Sequence, residues 1–127
     1  MSDTTFGLSR IGQIAISVQD VPGLTAFYRD TLGMKFLFDV PGKMAFFDCD
    51  GVRLMLSVPE PGFEQAASIL YFTVDDIGAA HQTLVERGVK FEGEPHMVAD
   101  MGTYELHIGF FRDPEGHLLA LMSEVAK

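Results

Sequence analysis

An α+β fold built from two tandem β-α-β-β-β modules is what this sequence predicts, and three observations carry the prediction. A strand-turn-strand unit at residues 108–122 has an earlier counterpart at residues 44–56. The order of elements is the same on either side of a Pro59-Glu60-Pro61-Gly62 break. The two halves also align residue by residue, as an internal repeat should. Val18-Gln19-Asp20-Val21 matches Val74-Asp75-Asp76-Ile77, and Phe46-Phe47 matches Phe110-Phe111.

In the first half, Ile14, Ile16 and Val18 alternate with Gln13, Ala15 and Ser17, the period of a strand. Asp20 is a helix N-cap, and Pro22 falls in the first turn, where a missing N–H costs little. Leu24, Phe27, Tyr28 and Leu32 then share one helical face, and Gly33 ends the helix. Strands follow at 34–40, 44–49 and 52–58, the first two separated by a Pro41-Gly42 turn.

The second half repeats this order. A strand is expected at 68–74, then a helix capped by Asp76, carrying Ile77, Ala80, Leu84 and Val85 on one face and closed by Gly88. Val89-Lys90-Phe91 begins the next strand, and the final hairpin turns at Asp113-Pro114-Glu115-Gly116. The chain therefore reads as a single domain, with module 1 at about 10–58, a linker at 59–67 and module 2 at about 68–124.

The offset between the halves is 56 at Val18 and Val74, 55 at Gly33 and Gly88, 64 at the paired phenylalanines and 65 at Met55 and Ala120. The jump places about nine extra residues between Phe91 and Ile108, expected as a loop over 98–104 around Gly102.

Hydrophobic residues make up 47% of the 127 residues, enough for a packed core, and no apolar run approaches the length of a membrane span. The polar start lacks a signal pattern, so the expected compartment is the cytoplasm. A net charge of −9 argues against nucleic acid, whose phosphates call for clustered Lys and Arg. The single cysteine, Cys49, has no disulfide partner in the chain and lies between Asp48 and Asp50, which disfavours a thiolate.

With these elements in place, the chain resembles the vicinal oxygen chelate superfamily, which includes glyoxalase I, extradiol dioxygenases and bleomycin-resistance proteins. The resemblance rests on residues 26–34, Ala-Phe-Tyr-Arg-Asp-Thr-Leu-Gly-Met, on residues 110–117, Phe-Phe-Arg-Asp-Pro-Glu-Gly-His, and on the tandem layout. It implies a curved mixed sheet around a cavity, helices on its convex side, and a homodimer. Catalytic members of the superfamily place four inward-pointing metal ligands on the first and last strands of the two modules. Projected onto this chain, those positions are Gln13, Met55, Ile69 and Ala120. An amide, a thioether and two hydrocarbon side chains are a poor donor set for zinc, iron or manganese. The expectation is therefore a site with no metal or other cofactor.

Residues at two-residue steps from these positions share their face. The candidate ligand-binding set is Gln13, Phe46, Met55, Ile69, Tyr71, His96, His107, Phe110 and Ala120. The resulting reading is a protein that binds a small apolar or aromatic molecule, without membrane or nucleic-acid partners. The alternative is a metal-dependent lyase, isomerase or dioxygenase using relocated ligands, with His96, Glu105 and His107 as the candidates.

Overall fold

The structure, a computed structural model, describes residues 6–59, 61–62 and 68–127. The expected linker lies largely outside the described residues. The strands pair as two four-stranded mixed sheets, one per module, and the α+β class and tandem order are as expected. In the first sheet β1 (Gln13–Ser17) lies parallel to β4 (Val52–Ser57), followed by β3 (Met44–Cys49) and β2 (Lys35–Val40). In the second, β5 (Leu70–Thr73) lies parallel to β8 (Leu118–Ala126), followed by β7 (Tyr104–Arg112) and β6 (His96–Asp100).

The repeat offsets read from the sequence are the ladder registers of the structure. Ala15 pairs with Met55 in one sheet, and Tyr71 pairs with Ala120 in the other, preserving offsets of 56 and 65. Phe46 opposes Met55 as Phe110 opposes Ala120, preserving 64 and 65.

Each sheet is covered on one face by its helix. Asp20 Oδ1 accepts the Gly23 N–H at 3.1 Å and starts α1 (Val21–Ala26). A Cβ on Gly23 would lie 2.3 Å from Asp20 Oδ2, so this cap requires glycine there. The helix continues as a π-helical turn, Phe27–Thr31, closed by the Leu32 N–H on the Phe27 carbonyl. Asp76 Oδ1 accepts the Ala79 N–H at 3.0 Å and starts α2 (Ile77–Glu86). One continuous core joins the helix-facing residues of both modules, among them Ile16, Leu24, Tyr28, Phe47 and Leu56 with Leu84, Phe111 and Leu119.

The DPEGH turn locks the modules together. The Glu115 carboxylate accepts the N–H groups of Gln19 and Asp20, at 2.7 Å for the latter. Asp113, 5% exposed, accepts the Tyr28 hydroxyl at 2.9 Å and the N–H groups of Glu115 and His117. His117 places Nδ1 2.8 Å from Asp113 Oδ2 and Nε2 3.0 Å from the Ser17 carbonyl. At the other end, Arg87 Nη1 donates to the Thr31 carbonyl at 2.9 Å.

Two expectations are corrected. Residues 89–91 do not form a strand; Phe91 makes an isolated bridge to Phe111 and the chain then departs at Gly93 and Pro95. The bridge is still the repeat of Phe36 opposite Phe47, so the alignment holds while the strand breaks. The extra residues also form a loop only at 101–103, around Gly102. They resume the ladder as β6 and lengthen the last hairpin, whose strands β7 and β8 have nine residues each where β3 and β4 have six. Met97 and Ala99 pair with His107 and Leu106 of β7, and Val98 falls at the register shift between them.

Candidate functional site

Side chains directly opposite one another in a ladder share a face. On the face of the first sheet turned away from the core lie Gln13, Ala15, Arg53, Met55, Phe46 and Phe38. Gln13 Nε2 sits 3.9 Å from Met55 Sδ, and Gln13 Oε1 accepts the Arg53 Nε–H at 2.7 Å. The Arg53 guanidinium lies over the Phe46 ring, 5.2 Å from its centroid. Phe38 stacks on Phe46 with centroids 4.5 Å apart. Phe38 is 47% exposed, so the stack opens to the surface on its side, with Phe46 buried beneath it.

The outward face of the second sheet carries Tyr71, Thr73, Ala120, Met122, Phe110, Ile108 and His96. Tyr71 and Phe110 meet edge to face at 5.9 Å over the buried Ala120. Ile69 is exposed just before β5, two residues from Tyr71. His96 pairs with Ile108, and its Nδ1 lies 3.1 Å from the Glu94 carbonyl.

His107 is not part of this face. It pairs with Ser123, and the alternation of β7 turns it to the opposite side from Ile108 and Phe110. Its Nε2 lies 3.1 Å from Glu105 Oε1, a carboxylate on the same side. His96 is therefore separated from His107 and Glu105 by the sheet, and the relocated-ligand set does not assemble. Among the described residues no three His, Cys, Asp or Glu side chains gather as a metal-binding group. The four projected positions do not fit a metal either: Gln13 contributes one amide, already engaged with Arg53, and Ala120 is fully buried hydrocarbon.

The two outward faces lie apart within one chain. Among the described residues, no hydrogen bond or ring contact joins Gln13, Phe46 or Met55 to Tyr71, Phe110 or Ala120. Among the described residues, two clefts lie instead between the modules. One of about 290 Å³ is bounded by Leu32, Met34, Phe72, Leu84 and Arg87. Another of about 470 Å³ is bounded by Met34, Cys49, Asp50, Leu70 and Tyr71. Cys49, half-buried at the latter, has its thiol pushed up by burial and then by the Asp48 charge.

Two features of the first outward face escape sequence reading. Phe38 reaches the Phe46 ring because the β2–β3 register shifts between Phe36 and Phe38. Arg53 is positioned by Gln13, 40 residues away.

Comparison with known proteins agrees with this architecture. The model of the Glyoxalase/Bleomycin resistance protein/Dioxygenase superfamily matches residues 10–121, and the chain belongs to that superfamily. It is 28% identical over 123 residues to the uncharacterized protein YraH of Bacillus subtilis (strain 168), covering 86% of this chain and 94% of that one. The fold is similar to lactoylglutathione lyase from Agrobacterium tumefaciens, with a TM-score of 0.76, 22% identity and coverage of 91% and 94%. It is also similar to TnmS3, an antibiotic binding protein from Streptomyces sp. CB03234, with a TM-score of 0.74, 23% identity and coverage of 94% and 98%. No helix of the described residues is long and apolar enough to cross a membrane.

Proposed function

We propose that this protein binds a small apolar or aromatic molecule without a metal, in a cavity closed by two copies of the chain. One observation carries the reading. The positions onto which the superfamily resemblance projects metal ligands, Gln13, Met55, Ile69 and Ala120, carry no metal-binding set and lie on the sheet faces that bear Phe46, Phe38, Tyr71 and Phe110. That surface suits desolvating an aromatic ligand rather than holding a cation. An antibiotic-binding protein of the same fold is consistent with it.

Exposure supports a homodimer. Phe38, Val40, Ile69 and Tyr71 are each at least 40% exposed, on faces that the chain's own helices do not cover. Two such faces, one from each protomer, would enclose a ligand that neither encloses alone. The compartment we assign is the cytoplasm.

The test is metal analysis of protein purified without chelator, paired with titration by a naphthalene ligand. The expected result is far less than one equivalent of metal and saturable binding that EDTA leaves unchanged. Stoichiometric metal surviving dialysis, with binding or turnover lost on its removal, would overturn the proposal in favour of a metal-dependent enzyme.

A further inference from the structure

We infer that Arg53 selects for a ligand that carries a carboxylate beside its aromatic part, so that the substance bound is an aromatic carboxylate. This deepens the proposed binding function and rests on it. The inference starts from how the guanidinium is held. Nε donates to Gln13 Oε1 at 2.7 Å, and the plane lies over the Phe46 ring. These two contacts fix a long side chain that would otherwise be free, which removes part of the entropy cost of using it.

The same contacts leave the terminal edge of the guanidinium available. Among the described residues, neither Nη1 nor Nη2 of Arg53 has an acceptor, and no carboxylate forms an ion pair with it. Asp48 is opposite Arg53 in the β3–β4 ladder, but its Oδ1 accepts the Gly51 N–H at 3.0 Å within the turn. The neighbouring turn thus engages the acid best placed to neutralise the arginine. A chain with 18 acidic and nine basic residues has carboxylates in excess, yet this cation faces Phe46, Phe38 and Met55 instead.

Two terminal N–H groups in one plane match the two oxygens of a carboxylate. Beside them the exposed Phe38 ring, stacked on the buried Phe46, offers a face on which a flat ring can stack. The combination specifies a rigid aromatic acid, with the ring against Phe38 and the carboxylate at the Nη edge. The Gln13 amide, already oriented by Arg53, keeps the guanidinium turned toward that edge.

The experiment compares 2-naphthoate with 2-naphthamide, which share size and ring but differ in charge, by titration calorimetry at low salt. Wild type is expected to bind the acid at least about tenfold more tightly than the amide, the scale of a partly exposed charge-assisted hydrogen bond. Arg53→Gln is expected to abolish the preference, bringing the two affinities to within about twofold of each other. Arg53→Lys is expected to retain part of the preference, since it keeps the charge and loses the planar fork. Circular dichroism and sedimentation accompany each variant. Equal affinity for the two probes in wild type, or a preference that survives in Arg53→Gln, would overturn the assignment while leaving the binding function standing. Dissociation of the dimer by Arg53→Gln would also overturn it, because it would mean that Arg53 meets a carboxylate of the second copy. Failure of both probes to bind wild type would overturn the assignment together with the binding function.

Discussion

Changing Tyr28 to Phe removes one oxygen and tests how the two modules are held together. Tyr28 is fully buried in the π-helical turn that follows α1, and its hydroxyl donates to Asp113 of the DPEGH turn at 2.9 Å. Burial, reinforced by the Asp113 charge, raises the phenol above its ordinary range, so it stays a protonated donor even in alkaline solution. The ring packs on Phe27 and Phe47, contacts that Phe retains. The loss is therefore one hydrogen bond to a buried carboxylate that keeps two backbone N–H donors and His117 Nδ1. Hydrogen bonds to charged groups contribute about 1.5–3 kcal/mol, and the three remaining partners place the expected cost near 2 kcal/mol. For a chain of this length that is a drop of about 7 °C in the thermal midpoint. Urea unfolding of wild type, Tyr28→Phe, Asp113→Asn and the double variant gives the coupling directly. A loss below about 0.5 kcal/mol for Tyr28→Phe, typical of an inconsequential surface change, would refute the reasoning.

Cys49 should alkylate with iodoacetamide more slowly than an unstructured peptide thiol at neutral pH, its rate rising only at higher pH, because burial and Asp48 both disfavour the thiolate. Asp48→Asn should move that profile down only in part, since burial is the larger cause; a midpoint at or below that of the peptide thiol would contradict this. Gly109→Ala should destabilise by about 1–3 kcal/mol through overpacking. Its Cβ would lie 2.8 Å from Pro95 Cγ and 3.2 Å from Pro95 Cβ, where the chain returns to form β6. Gly78→Ala in α2, whose Cβ meets nothing nearer than 3.5 Å, is the control and should be neutral or stabilising in chemical denaturation.

Much of the fold was legible because the relevant signals are local. Asp20 and Asp76 cap the helices assigned to them, and the repeat offsets became ladder registers without alteration. Val89-Lys90-Phe91 misled because a short apolar run carries no information about whether its neighbour continues the pairing. Gly93 and Pro95 supply the break, and β7 supplies the edge on which β6 re-forms. His107 misled for a related reason: its face depends on the register of a hairpin longer than its twin. In the candidate site, Gln13 and Met55 could be placed through the superfamily resemblance, supported by the repeat offsets, and Phe46 through its place in the paired hairpin. The orientation of Arg53 and the Phe38 stack could not, because they depend on a long-range hydrogen bond and a register shift.

Subunit complementation tests the central claim, a metal-free aromatic site shared between two chains, most directly. Met55→Trp fills the half-site on the first sheet, and Tyr71→Ala removes the exposed ring of the half-site on the second. Each variant alone should bind 2-naphthoate weakly. After mixing and subunit exchange, a heterodimer combines the intact first sheet of one chain with the intact second sheet of the other. The account predicts one tight, EDTA-insensitive site per heterodimer in calorimetric titration. No recovery of tight binding in exchanged heterodimers, or tight binding only when a divalent metal is added, would contradict it.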